Sequence, residues 1–283
     1  MKRMLLALIA GSALATIATG ASAATIFGVD ENNRLVSFDS ANPGTFVSDI
    51  QITGTDATVL ALDYRDSDGL IYALGDDFRI YTLDRVSGMA AAITGALNLS
   101  GTNFGFDFNT VVDAIRVVSN TDANYVVNTG TGVATRFTDV GYGAGDPNAG
   151  ANAIVTGNGY IHGTPNQFAI DTNLDNLVTQ ANNAGTLTTV GSLGVAVGPR
   201  TSFDIGFDGV GYLADVNRFY TVNLANGAAT QTGTTQRAVF GITAVPFGAV
   251  PEPSTWMRML LGFAGIGAGM RRNKVVRTKV AYA

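Results

Sequence analysis

Short runs of β-branched and aromatic residues, each closing on an Asp or Asn, recur along the chain. They read Arg34-Leu-Val-Ser-Phe-Asp39, Arg79-Ile-Tyr-Thr-Leu-Asp84, Ala123-Asn-Tyr-Val-Val-Asn128, Asn166-Gln-Phe-Ala-Ile-Asp171 and Arg218-Phe-Tyr-Thr-Val-Asn223. Such a run suits a strand. In four copies a glycine follows four or five positions later (Gly44, Gly88, Gly132, Gly227), which suits a tight turn, because Asx bonds nearby backbone and Gly takes positive φ freely. The closing residues stand 45, 44, 43 and 52 apart. A period near 40–45 residues with several strands per unit predicts β-propeller blades.

The repeats differ in completeness. The first opens directly on Thr25–Val29 and lacks a front strand. The second supplies one at Leu60–Tyr64, and the third matches it at an offset of 44, pairing Asp107 with Asp63 and Ile115 with Ile71. The fourth is degenerate: Ala153–Val155 and Gly159–His162 read as its first strands, and its long spacing to the next copy predicts an extra loop around Gly191–Arg200. The fifth returns to pattern from Phe203. A lone strand, Phe240–Val245, remains at the end, and pairing it with Thr25–Val29 would complete the first blade and close the ring. The expectation is an all-β, five-bladed β-propeller closed by the C-terminal strand. A sixth blade would have to come from Val140–Asn152, whose Gly, Asp and Pro content predicts a loop.

Composition changes the picture in two ways. There is no cysteine among the 283 residues, which excludes disulfides, thiolate metal sites and cysteine nucleophiles. From Ala24 to Val250, 20 Asp and one Glu stand against nine Arg and no Lys, a balance of −12. So acidic a surface repels phosphate backbones and argues against nucleic acid as a partner.

The two ends read differently from the middle. Lys2-Arg3, the apolar run Met4–Ala18 and the small residues Ala21-Ser22-Ala23 form the three parts of a secretory signal, with cleavage after Ala23. At the other end Pro251-Glu252-Pro253 breaks any strand. A short apolar stretch from Trp256 to Met270 and the basic cluster Arg271-Arg272-Asn-Lys274 follow. The stretch predicts a short transmembrane helix, near the lower limit for crossing a bilayer. The expected domains are a signal peptide at 1–23, a propeller at 24–249 and a sorting segment at 250–283.

Pro251, Glu252, Pro253, Trp256, Arg271 and Arg272 together resemble the PEP-CTERM sorting signal of Gram-negative bacteria. That resemblance implies recognition by an exosortase-type membrane protease, transient inner-membrane insertion and release to the cell surface or extracellular matrix, alongside exopolysaccharide. The runs Phe104-Gly-Phe-Asp-Phe-Asn109, Asp113–Ser119 and Asn183–Gly191 are similar to a bacterial family of exported, propeller-like domains without an assigned function. The similarity spans most of Ala24–Phe247 and implies a fold but no catalytic residue.

Candidate chemistry is sparse. His162 is the sole histidine, so a Ser-His-Asp arrangement must use it, and multi-histidine metal sites are excluded within one chain. It reads as a strand residue beside a turn. Asp63, Asp66 and Asp68 do not keep the alternate spacing of a calcium loop and read as an ordinary turn region. Asp63, Asp107 and Asp204 recur in apolar inner-strand runs. They are candidate channel carboxylates, set either to bond backbone N–H groups between blades or to line a cation or ligand site. No cofactor is expected, with calcium as an alternative. The leading expectation is a non-enzymatic surface or matrix protein. The alternatives are a polysaccharide hydrolase or lyase using the channel Asp residues, and a calcium-stabilised adhesin.

Overall fold

The computed structural model describes residues 23–246 and arranges them as five antiparallel sheets in a ring. The first sheet holds β1 (Thr25–Asp30), β2 (Arg34–Asp39) and β3 (Asn42–Gln51). The second is β4 (Val59–Arg65), β5 (Leu70–Gly75), β6 (Ile80–Leu83) and β7 (Ala90–Ala92). The third is β8 (Phe104–Asn109), β9 (Ala114–Ser119), β10 (Asn124–Asn128) and β11 (Val133–Arg136). The fourth comprises β12 (Gly141–Tyr142), β13 (Val155–Tyr160), β14 (Gln167–Asp171), β15 (Asn176–Ala181) and β16 (Thr186–Ser192). The fifth is β17 (Ser202–Ile205), β18 (Gly211–Asp215), β19 (Arg218–Val222) and β20 (Ala229–Thr234), after which β21 (Val239–Val245) returns to the first sheet.

The returning strand closes the ring as the repeat pattern predicts. β21 pairs antiparallel with β1, setting Ile26 opposite Ala244 and Gly28 opposite Ile242, with a bulge at Gly28/Val29. Arg237, just ahead of β21, reaches the buried Asp30 carboxylate at 2.6 Å and Asp49 of β3 at 2.8 Å. The inner strands β21, β4, β8, β13 and β17 then stand side by side around a narrow axis.

Each pair of neighbouring blades encloses its own apolar cluster, so the interior is five small cores rather than one. Phe27, Leu62 and Ile71 fill the seam between the first and second blades, and Tyr72, Phe106 and Ile115 the next. Phe203, Leu213 and Tyr220 pack against the fourth blade, and Phe38, Phe219 and Ile242 join the fifth to the first. Inner strands are covered on both faces, which is why β8 is buried at all six positions although its sequence alternates Phe with Gly, Asp and Asn. Burial fades outward, and β3 and β11 are largely exposed edges.

The seam between the third and fourth blades is the polar one. Beside Val118, Val155 and Val178, the buried Arg116 donates to Asn124 (2.7 Å), Asn183 (2.8 Å) and the Tyr160 hydroxyl (3.3 Å), all uncharged acceptors.

The fourth blade corrects the sequence reading. Gly159–His162 is not a second strand: β13 runs from Val155 to Tyr160, and His162 lies in the turn beyond it. The run Asn166–Asp171 forms the second strand, β14, whereas the other four copies form third strands. The true equivalent is β15. Its last residue, Ala181, accepts the Gly185 N–H (2.9 Å) as Asp84 accepts that of Gly88 and Asn128 that of Gly132. With no Asx at 181, the pattern slid onto the preceding strand. The extra length therefore lies before the blade, between β11 and β13, rather than at Gly191–Arg200. There Gly141–Tyr142 adds a short parallel strand to the outer edge of β16, inside a segment read as loop. Gly44 is a second correction, since it sits within β3 and not in a turn.

The Met1–Gly20 part of the signal and its Ala21, and the whole sorting segment from Val250, lie outside the described residues. Among the described residues no helix is long and apolar enough to cross a membrane.

Two turn glycines separate backbone strain from close packing. Gly88 and Gly132 occupy the same turn position with φ of 73° and 67°. A Cβ on Gly88 would stand 2.3 Å from the Gln51 carbonyl oxygen of the neighbouring blade, whereas on Gly132 it would meet nothing closer than 3.6 Å. Gly132→Ala should cost about 1 kcal/mol, from the left-handed conformation alone. Gly88→Ala should cost about 1–3 kcal/mol more, for overpacking. Equal thermal melting of the two variants would contradict this seam geometry.

Candidate functional site

An inner propeller strand has a sheet partner on its outer side only. The N–H groups that face the axis therefore need acceptors from elsewhere, because an unpaired buried donor is costly. The inner strands supply them in rotation. Asp63 at the end of β4 accepts the Phe108 N–H of β8 (2.8 Å), and Asp107 of β8 accepts the Tyr160 N–H of β13 (3.1 Å). Asp204 of β17 accepts the Ala244 N–H of β21 (2.6 Å), and the Thr243 hydroxyl of β21 accepts the Tyr64 N–H of β4 (3.0 Å). Four of the five blades thus fasten the next at one level of the axis.

The fourth blade breaks the rotation. Its residue at this level is Gly159, which has no side chain to offer. The Ile205 N–H it would serve is taken instead by the neighbouring Asp204 carboxylate of its own strand (2.6 Å). A Cβ on Gly159 would stand 3.0 Å from that same nitrogen, so the seam has closed up over the missing group.

The rotation carries three carboxylates to one place. Asp63, Asp107 and Asp204 each present an oxygen within 4.8 Å of the others, and all are buried. These are the three aspartates that the sequence singles out as channel carboxylates. Asp66 and Asp68 do not join them. Asp66 lies 3.6 Å from the His162 Nε2, while Asp68 accepts from Arg65 and the Tyr72 hydroxyl. A cavity of about 30 Å³ adjoins the cluster, bounded outwardly by Tyr64, Thr110, His162 and Phe207. The His162 ring rests on Phe207 with centroids 4.4 Å apart.

Hydrogen bonding limits what the cluster can do. Asp63 also accepts the Thr243 hydroxyl (2.9 Å), so five of the six carboxylate oxygens are engaged by N–H or O–H donors, leaving one on Asp107. Calcium takes six to eight oxygen ligands, more than the one ligand atom from each of three carboxylates that converge here. Burial raises all three carboxyl pKa values, and mutual repulsion adds to the rise at Asp63 and Asp107. Asp107, with one backbone donor, is the natural holder of a proton directed at Asp204.

Thr243 and Gly159 escaped the sequence reading, which looked for a repeated Asp. The signal was nonetheless present, because Ile242-Thr243-Ala244 stands where Leu62-Asp63-Tyr64 stands in the second repeat. Arg116 carried no such signal. It lies directly across β9 from Asp107, where the second and fifth blades place Tyr72 and Tyr212.

The titration has a definite sign. The folded cluster binds protons more tightly than the unfolded chain, whose aspartates titrate near pH 4. Its contribution to stability is complete below that pH and is lost as pH rises through the higher folded values. Asp49 and Asp113, held below the ordinary range by hydrogen bonds from Arg237 and Arg65, act in the opposite sense. Asp107→Asn keeps an acceptor for the Tyr160 N–H and supplies a permanent donor towards Asp204. At pH 8 this variant should melt a few °C above the parent, on the order of 1 kcal/mol, with the gap closing towards pH 4. A variant less stable at every pH would sink the shared-proton account.

Comparison with known proteins adds a family and a fold. No curated protein matches the chain in sequence. A crystal structure of a structural genomics protein of unknown function from Bacteroides thetaiotaomicron is similar, with a TM-score of 0.50 at 14% identity over 78% of this chain and 64% of that one. The chain thus spans less than two thirds of that protein. A chain in the crystal structure of a nidogen/laminin complex gives a TM-score of 0.49 at 13% identity, covering 78% of this chain and 98% of its own. At such identity the Bacteroides likeness speaks for the fold alone. The family profile described as "Domain of unknown function (DUF4394)" matches residues 34–243, from β2 into the closing strand β21. The chain belongs to the DUF4394 family of domains of unknown function.

Proposed function

We propose that this protein is an exported, non-enzymatic surface or matrix module. In this reading residues 1–23 direct export, residues 24–249 form the displayed propeller and residues 250–283 carry a PEP-CTERM-type segment. That segment enters the inner membrane transiently and is processed by an exosortase-type protease, and the displayed domain associates with exopolysaccharide. The observation that carries the non-enzymatic part is the engagement of the convergent carboxylates: five of six oxygens in the cluster already hold backbone or hydroxyl donors. Such oxygens are poor nucleophiles and poorly placed as general bases, because they are buried and already turned towards backbone or hydroxyl donors. The cavity beside them, about 30 Å³, admits a water but not a sugar ring. The same count weighs against the competing reading, a polysaccharide hydrolase or lyase acting through Asp63, Asp107 and Asp204.

Display is supported by the chain ends. Thr25 pairs with Val245, so both described ends leave the ring together, on the side where the carboxylates lie. A domain held through its C-terminal segment would then turn the opposite mouth of the axis, around Arg200, outward.

Mass spectrometry of the protein recovered from the outside of source cells should find a mature N-terminus at Ala24 and no peptide from the apolar stretch 256–270 or the residues after it. Deleting the exosortase should return the chain to the membrane fraction with that segment intact. An unprocessed chain recovered from the cytoplasm would end the display reading. The purified protein should also release no sugar from envelope polysaccharides. Turnover abolished by Asp107→Asn with melting preserved would install the enzyme reading in its place.

A further inference from the structure

The mouth of the axis remote from the carboxylates has an arginine with nothing to do. Seven of the nine arginines among the described residues are tied by hydrogen bonds or ion pairs: Arg34, Arg65, Arg79, Arg116, Arg136, Arg218 and Arg237. Arg85 and Arg200 only stack. Arg85 lies 5.7 Å or more from the Tyr64 and Phe27 rings and borders no described cavity. Arg200 sits face-on to Phe240, with its Cζ 3.6 Å from the ring centroid. A guanidinium held by its flat face keeps its in-plane N–H donors free for a planar, two-oxygen acceptor. The stack also fixes its orientation, so less freedom is lost on binding.

A second observation comes from behind that arginine. Ser202 Oγ is buried and has no hydrogen-bond partner. It and Arg200 line one cavity of about 20 Å³, together with Thr102, Asn103 and Pro199. That volume holds about one water, so a carboxylate must meet Arg200 at the mouth of the notch, with the sugar ring carrying it outside. Thr102 and Pro199 are exposed there, offering a hydroxyl and a flat apolar edge. In a domain whose charge is strongly negative, this is an isolated cationic, hydroxyl-rich notch.

We infer that the Arg200 mouth binds the carboxylate of a hexuronate unit in an acidic polysaccharide. The guanidinium edge takes both carboxylate oxygens, Ser202 Oγ supplies a donor at the back of the notch, and the ring hydroxyls meet Thr102 and Asn103. This rests on the matrix-module reading and names the kind of glycan it meets.

The test is isothermal titration of the full-chain protein with trigalacturonate, with its carboxyl-reduced neutral counterpart and with inorganic phosphate. Trigalacturonate should bind and the neutral sugar should bind at least tenfold more weakly, as loss of a charge-assisted hydrogen-bond pair implies. Arg200→Gln should weaken trigalacturonate by tenfold or more. Arg200→Lys, which keeps the charge but loses the fork, should fall between. Ser202→Ala should weaken binding severalfold with the melting temperature unchanged, and it keeps the test decisive should Arg200→Gln fail to fold. Neutral sugar bound as tightly, and indifferent to these variants, would overturn the uronate site while leaving the matrix module standing. Binding of phosphate without trigalacturonate would overturn it in favour of a simple anion site, and no binding of any probe would overturn it outright.

Discussion

A propeller has one recurrent difficulty: the innermost strand of every blade turns a row of backbone donors towards an axis too narrow to be filled with water. The protein meets it with short side chains that reach sideways, from each blade to the next. Asp63, Asp107, Asp204 and Thr243 do so at one level, and the same bonds that satisfy the backbone tie neighbouring blades together. The cost is electrostatic. Three carboxyls brought this close in a buried place cannot all remain charged, so the fastening works best with a proton held among them.

This constraint explains why the cluster resembles a binding site yet functions first as construction. Convergent acidic groups beside a cavity are the usual mark of catalysis or metal binding. Here the hydrogen bonds decide otherwise, since five of the six oxygens already accept donors and three of those donors are N–H groups of the next blade. The fourth blade supports the same view from its exception. Where Gly159 leaves the rotation incomplete, Asp204 turns one oxygen back to its own strand and the deserted donor is still satisfied.

The fold was largely legible in the sequence because its signal is local and repeated. The second, third and fifth blades carry a β-branched run, an Asx cap and a turn glycine in fixed order, and turn chemistry needs no distant partner. Legibility failed in the fourth blade, where Ala181 replaces the cap and the stranded pattern settled on the wrong strand. The three aspartates were legible because they recur at one place in an apolar run, but their orientation was not. Whether a carboxylate faces a neighbouring strand or a ligand depends on how blades pack, which no window of sequence contains. Arg200 was invisible for a related reason: what distinguishes it is the absence of partners, a property of the assembled ring.

The closing strand has a consequence for the order in which the molecule is assembled. Among the described elements β1 is the first to emerge from any process that delivers the chain from its N-terminus, and its partner β21 is the last. Throughout that interval Thr25–Asp30 presents an open, apolar edge of the kind that recruits foreign strands. A contact so distant in sequence is also slow to form. Blades two to five are each built from contiguous sequence and can collapse as they appear, so the ring behaves like a bracelet whose clasp is fitted at the end.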